Sequence, residues 1–524
     1  MQIAEFKTSP KSLWREWPLV AVFGCIGFMI SPVLTAEFGI IDDHEIVSIV
    51  GRSGVRTHDI LPLIQERAIE QDGRFRPAYY VSRIVESFLL GSNAQLWHAS
   101  RLLLALIAAL ALYVAIRVLM PPFPAGVVTL LLFSGSQNEI WVTLGPAESY
   151  GVPLVLIGLA WIVLQLGRRN SRPPRLFPGF ALLLLAGFIK ESFIPVLPAA
   201  LVFTYVVLPR VIPSVIPARR RLEVLDILVF FILITGVSGQ IWMTAKMLHT
   251  YGLVYFEAIS PTSFLSAAKP MLMHYSRHTL WFLPVTVGLL TLIPTNKQEL
   301  AGRAWRVDVT EVIVLLATAG FLILGPQWLL YAGNDYLSGR YLTPGNLFPV
   351  FAAALGLHLL WRNPVTPGQA ELRGVVAGML IAVALLNVVA TYREADDAAL
   401  ANHRFQTKLA EIVQLKKQYP ELPLLFYSTN VSDREPLVSV GTFLTVKLPS
   451  PERPFLNPFD WETAADSPLK KAVAQHIAKE SLEGDAVFSA IADFHGTDGR
   501  CIAVVFSGSG PNVRCQHTVY MRDR

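Results

Sequence analysis

Charge is what this chain has least of. Only 16% of its 524 residues are Asp, Glu, Lys or Arg, while 53% are hydrophobic. Soluble globular chains carry about 25% charged residues, so a water-soluble architecture is excluded for most of the sequence. Cysteine is scarce as well. There are three, and no Cys/His spacing resembles a structural zinc site. No internal repeat or low-complexity tract is present, and nothing motivates a nucleotide cofactor. The formal charge of +5 and the pI near 9.0 do not point to nucleic acid. The Arg and Lys residues sit in short loops between apolar runs, where they act as topology signals.

What is present is hydrocarbon. Mean hydropathy is +0.46, and the apolar residues fall into runs of about 20, the length that crosses roughly 30 Å of bilayer core. The first run, from Trp17 to about Ala36, follows Lys7, Lys11 and Arg15. Leu34 stands where a signal-peptide cleavage site wants a small residue, so the run reads as an uncleaved span with a cytoplasmic N-terminus. Further spans are expected at 96–119, 123–137, 149–167, 177–192, 193–209, 224–246, 278–295, 309–331, 341–361 and 373–392, eleven in all. Alternation then places the Arg168–Arg175 and Arg210–Arg221 segments on the N-terminal side, as the positive-inside rule requires. Residues 37–95 become a long extracytoplasmic loop. Within it, 60–71 has the spacing of an interfacial helix, with Leu61, Ile64 and Ala68 on one side.

The last 130 or so residues change character. Residues 394–419 are polar with a helical pattern, 422–428 reads as a strand, 467–482 as an amphipathic helix and 484–521 as strands. An odd number of spans puts this C-terminal α/β domain, 393–524, outside. Cys501 and Cys515 flank Ser507–Asn512, a turn signal. Facing each other across a hairpin, they would form a disulfide, which an oxidising compartment permits.

The polar residues that need explaining share one face of this topology. Asp42, Asp43, His44 and Glu45 follow the first span. The readings are a general base with an orienting acid, a solvated helix start, and a metal site. Arg74 and Arg76 flank Phe75; guanidinium groups bind phosphate oxygens in forked pairs, and they also anchor to lipid headgroups. Tyr79 and Tyr80 read as belt aromatics. Glu148 sits in a Gly–Pro turn, as a second acid facing the first or a plain loop acid. Lys190–Glu191 closes an apolar run, and ionisable groups at membrane depth are functional candidates. Here Lys190 would neutralise a ligand phosphate with Glu191 fixing its position, or the charges would make a structural salt bridge between helices. Arg340–Tyr341 opens another span, either to contact phosphate or sugar or as a snorkelling arginine.

Asp42–Asp43, Arg74–Pro77, Glu148, Lys190–Glu191 and Arg340–Tyr341, in that order and on one side, resemble the GT-C membrane glycosyltransferases. Within that superfamily the pattern is similar to the polyprenyl-phosphate-sugar-dependent branch related to protein O-mannosyltransferases and aminoarabinose transferases. The resemblance covers about residues 15–392, which would form the catalytic module of an all-α polytopic fold. It implies a sugar donor on polyprenyl phosphate and an acceptor hydroxyl on an envelope glycan, lipid or protein. It also implies a multi-pass protein of a bacterial-type inner membrane and inverting displacement. Asp43 or Asp42 would be the base. Arg74, Arg76, Lys190 and Arg340 would bind the donor phosphate, supported by Glu191 and Tyr341. Glu148, with Glu45 and His44, would orient the acceptor. No cofactor is required by this chemistry, and a divalent metal is left open. The competing readings are a transporter or flippase, and a polymerase or ligase, for lipid-linked saccharides.

Overall fold

The computed structural model describes residues 16–40, 43–51, 54–69, 75–133, 138–167, 175–207, 367–420, 424–428, 434–448, 500–506, 517–519 and 522–523, with parts of 231–246, 321–327 and 339–358. The long apolar runs among these residues are helical. Helix α1 (Trp17–Ile30) has Pro18 in its first turn and runs on into a 3₁₀ turn, Ser31–Thr35. A group of short helices follows: α2 (Asp43–Val50), α3 (Ile60–Ile64) and α4 (Pro77–Leu90). Then come α5 (Ala94–Arg117), α6 (Pro122–Phe133), α7 (Glu139–Val142), α8 (Glu148–Gly167), α9 (Phe177–Ile189) and α10 (Val196–Val202). Starts are chemically marked. The Asn93 side chain accepts from the Leu96 N–H at 3.2 Å to cap α5, and Pro77 opens α4, where a missing N–H costs nothing.

Four described helices are long and apolar enough to cross a membrane: Trp17–Thr35, Ala94–Arg117, Glu148–Leu166 and Arg373–Gln418. Three shorter apolar helices, Pro122–Phe133, Phe177–Ile189 and Glu191–Tyr205, fall where spans were expected. The chain is thus a multi-pass helical membrane protein. The expected span 278–295 lies outside the described residues, and those at 224–246, 309–331 and 341–361 lie partly outside them.

Close backbone approach holds the bundle. A Cβ on Gly158 would come within 2.7 Å of the Gly179 carbonyl, so α8 and α9 touch through two glycines, the small-residue packing that lipid-embedded helices favour. The two ends of the bundle are distinct. At one, Arg117 donates to Glu16 at 2.8 and 3.1 Å, tying the end of α5 to the start of α1. The starts of α2 and α8 and the end of α9 lie at the other.

Residues 37–95, expected as a loop carrying interfacial helices, contain α2, α3 and α4. Two expectations need correction. The helix expected over 60–71 is α-helical only to Ile64, and continues as a π turn, Gln65–Ile69, with Leu61 exposed. The expected span at 373–392 and the polar helix at 394–419 are one unbroken helix, α11 (Pro367–Gln418). At 1.5 Å per residue, its 52 residues reach about 78 Å, far more than a bilayer core needs. One buried stripe runs its length: Val376, Leu380, Ala384, Val388, Ala395, Phe405, Leu409 and Ile412. Its N-terminal half packs on α1, where Tyr392 stacks on Phe28 at 4.6 Å. Its C-terminal half packs on α12 (Arg434–Lys447), where Phe405 meets Phe443 edge-on at 5.1 Å.

Four strands complete the described chain: β1 (Leu424–Ser428), β2 (Arg500–Phe506), β3 (His517–Val519) and β4 (Arg522–Asp523). β1 pairs parallel with β2, Leu424 opposite Ile502, while β3 and β4 pair antiparallel with β2. Cys501 stands opposite Arg522. Cys515, and with it the expected disulfide, lies outside the described residues, as does the helix expected at 467–482.

Candidate functional site

The site is built at the end of the bundle away from the Glu16–Arg117 pair, where helices stop and side chains replace their missing backbone bonds. α2 begins at Asp43, only 3% exposed. Its Oδ2 accepts from the Gly39 N–H at 2.6 Å, so this acid is not a solvated helix start. Two residues on, Glu45 accepts from the Tyr79 hydroxyl at 2.8 Å. Tyr79 is therefore no belt aromatic. Its hydroxyl also lies 3.2 Å from the Gly145 carbonyl. Burial holds that hydroxyl's pKa well above the ordinary range, against the pull of Arg83, so it remains a proton donor to Glu45. His44 lies on α2, half-buried. Asp42 and Arg74 lie outside the described residues.

Residues 143–147 turn the chain between α7 and α8, and this turn carries Glu148 inward. Two of its carbonyls, Leu144 and Gly145, accept from the Arg83 guanidinium at 2.5 and 2.9 Å. Arg83 is fully buried against the faces of Tyr79, Trp97 and Tyr150. Beside it Arg101 donates to Glu86 at 2.7 Å and to the Tyr150 hydroxyl at 2.5 Å, and Ser100 donates to Glu86 at 2.6 Å. Burial alone would push the Glu86 carboxyl up. Arg101, with the hydroxyls of Ser100 and Tyr150, instead holds it below its usual range. These charges face one another, not water, and brace the turn ahead of Glu148.

Glu148 is 0% exposed and forms an ion pair with Lys190, 4% exposed. The Lys190 ammonium also lies 4.6 Å from the centre of the Tyr341 ring. The Arg340 guanidinium sits over that ring at 5.1 Å and bridges to Glu139 at 3.6 Å. Arg76 donates through two nitrogens to Glu191, at 2.7 and 2.5 Å. The structure thus gathers Glu148, Lys190, Tyr341, Arg340, Arg76 and Glu191, which are spread over 265 positions of sequence, at one end of the bundle.

The pairing differs from the one expected. Lys190 was expected to act with its neighbour Glu191, but its partner is Glu148, and Glu191 belongs to Arg76. The cause is local. α9 stops at Ile189, and Lys190 takes an extended conformation, φ −156° and ψ 138°. Extended backbone sends successive side chains to opposite sides. Glu148, expected to orient an acceptor, is buried with one oxygen on Lys190, a position that sets the lysine. Sequence inspection passed over Arg83, Glu86, Arg101, Glu139 and Tyr150. A signal existed for two of them: Tyr79, Arg83 and Glu86 recur at helical spacing, and such charges on an inward stripe of a helix beside a membrane need partners. Among the described residues, no three His, Cys, Asp or Glu side chains gather as a metal site.

No protein-family model matches the chain, and no curated protein matches it. Solved structures resemble it in overall course. ArnT from Cupriavidus metallidurans in the apo state is 11% identical, covers 95% of this chain and 94% of its own, and gives a TM-score of 0.49. The same protein bound to undecaprenyl phosphate is 12% identical over the same shares, with a TM-score of 0.47. The Archaeoglobus fulgidus oligosaccharyltransferase in the apo form is 11% identical, covers 82% of this chain and 64% of its own, and scores 0.47. All three scores lie below 0.5, so the functional reading rests on the residues of the site.

Proposed function

We propose that this chain is a membrane glycosyltransferase of the GT-C type. It moves one sugar from a polyprenyl-phosphate donor to a hydroxyl of an envelope glycan, lipid or protein, on the extracytoplasmic face of a bacterial-type inner membrane. The N-terminus is then cytoplasmic, and residues 393–524 form a C-terminal unit outside.

The observation that carries the reading is the charge-balanced cluster at the end of the bundle that also holds a buried aspartate. Three cations, Arg76, Lys190 and Arg340, each meet one carboxylate, Glu191, Glu148 and Glu139. A polyprenyl-phosphate sugar is a phosphodiester with a single negative charge. Such a group gains hydrogen bonds from guanidinium and ammonium donors without demanding several unpaired cations. A diphosphate donor brings two charges to three ion pairs that themselves sum to zero, so the cluster favours the monophosphate. Its phosphate is a competent leaving group, so no strong acid is needed. The demands are a base for the acceptor proton and cations for charge growing on the phosphate. Asp43 (or Asp42) takes the first role. Arg74, Arg76, Lys190 and Arg340 take the second, with Glu191 and Tyr341 holding them. Glu148 sets Lys190, while Glu45 and His44 support the acceptor side. In-line attack inverts the anomeric centre. The proposed chemistry calls on no cofactor.

The test supplies the purified chain, in lipid nanodiscs, with one sugar carried on polyprenyl phosphate or on polyprenyl diphosphate, plus candidate acceptors. Release of polyprenyl phosphate from the monophosphate donor is expected. Preference for the diphosphate donor would assign the chain to the polymerases or ligases instead. Translocation of the donor in vesicles with no release would assign it to the transporters.

A further inference from the structure

The bend that presents Asp43 is tied to the helix after it only through the Gly39 N–H on Asp43 Oδ2 among the described bonds. Residues 36–40 make no helical backbone bonds beyond the turn at Ala36, so their carbonyls need other partners. The C-terminal part of the chain supplies them. Asn402 Nδ2 donates to the Glu37 carbonyl at 2.9 Å, Gln406 Nε2 to the Phe38 carbonyl at 2.7 Å, and Ser439 Oγ to the Ile40 carbonyl. Gln406 is itself oriented, its Oε1 accepting from Lys447 Nζ at 2.8 Å. Below these bonds an apolar layer joins Phe38 and Ile46 to Phe405, Leu409, Val440 and Phe443.

One peptide unit links this contact to the acid. The Phe38 carbonyl and the Gly39 N–H belong to the same rigid plane. Gln406 grips the carbonyl end, and the N–H end donates to Asp43 Oδ2 at 2.6 Å. Rotation of that plane would break both bonds together. A side chain at position 39 would also collide with the clamp, since its Cβ would lie 2.6 Å from Asn402 Oδ1.

We propose that α11 beyond the membrane, together with α12, is the positioning device for the Asp43 carboxylate, with Gln406 as its central positioning residue. This rests on the reading of Asp43 as a base in sugar transfer. It gives the C-terminal segment a role in the chemistry without any contact to substrate.

Gln406→Glu discriminates positioning from packing. The glutamate keeps the length and the Lys447 contact, but sets an acceptor against the Phe38 carbonyl. Positioning predicts that hydrogen exchange in a peptide spanning Phe38–Ile46 speeds up by roughly 10-fold, the scale of one lost hydrogen bond, with exchange in α5 unchanged. It also predicts a kcat for transfer from a polyprenyl-phosphate sugar lowered by 10- to 100-fold, as small misplacements of reacting groups produce, at an unchanged KM for that donor. A packing role predicts near-normal Gln406→Glu and a worse Gln406→Ala, and that order would overturn the proposal. So would wild-type exchange over Phe38–Ile46 in Gln406→Glu. Ser439→Ala, a smaller change to the same clamp, carries the exchange test if Gln406→Glu does not fold. The exchange arm needs no substrate. A wild-type chain that transfers no sugar would sink the transfer reading alone, while normal exchange in the variants would sink the clamp alone.

Discussion

Lys190 and Glu148 make the sharpest test of the site's energetics. Both are buried, and each is the other's main charge partner. Two unit charges roughly 3 Å apart, at an effective dielectric of about 20, attract by about 5 kcal/mol. Desolvation offsets much of that, but it has already been met in the folded state. Removing one partner leaves the other charge buried and uncompensated, at about 3–5 kcal/mol. Lys190→Met is therefore expected to destabilise by about 3–5 kcal/mol. Glu148→Gln should cost less, because Lys190 keeps the Tyr341 ring, a contact worth about 2 kcal/mol when desolvated. The double variant Lys190→Met/Glu148→Leu removes both charges and should return to within about 1 kcal/mol of wild type. Stability would be read from reversible denaturant titration in mixed micelles. Transfer should be lost in the single Lys190 variant and in the stable double variant alike. A Lys190→Met loss below about 1 kcal/mol, or a double variant as unstable as the sum of its singles, would refute the buried-pair reasoning. A double variant that still transfers sugar would remove Lys190 from the phosphate site.

Other consequences follow from the same geometry. Arg76→Lys keeps the charge but cannot reproduce the forked bond to Glu191, so the KM for a polyprenyl-phosphate sugar should rise by about 10-fold, the effect of losing one charge-assisted hydrogen bond. Gly151→Ala would place a Cβ 2.3 Å from the Phe193 ring, and overpacking there should cost about 1–3 kcal/mol in micelle stability. The Glu86 carboxyl, held below its ordinary value of 4.5, contributes stability that is complete above that value. The contribution is lost as pH falls through the depressed folded pKa. Glu86→Gln should therefore flatten the acid limb of a stability–pH profile, and an unchanged limb would contradict the Arg101 pairing.

How much of this was legible in the sequence depends on range. The apolar runs at 17–36, 96–119, 149–167 and 177–192 became helices because length and hydropathy are local properties. Glu148, Lys190 and Arg340 stood out because a charge beside an apolar run is conspicuous. Their pairing was not legible. Adjacent Lys190 and Glu191 diverge because α9 ends between Ile189 and Lys190, and a helix end is set by tertiary contacts as much as by residue type. Tyr79 was misread for a related reason: an aromatic near an interface and an aromatic buried on a carboxylate have the same local sequence. Helix α12 and the clamp on residues 37–40 join positions some 365–399 apart, and no spacing rule reaches that far.

The central claim is that a carboxylate at the start of α2 takes the acceptor's proton while the cations hold the donor phosphate. Its most direct test is the rate of polyprenyl-phosphate release by wild type, Asp42→Asn and Asp43→Asn, with donor binding measured on the same preparations. A fall of about 10²-fold or more is expected for at least one variant, the scale of positioned acid–base catalysis, with donor binding retained. Wild-type release by both variants would contradict it.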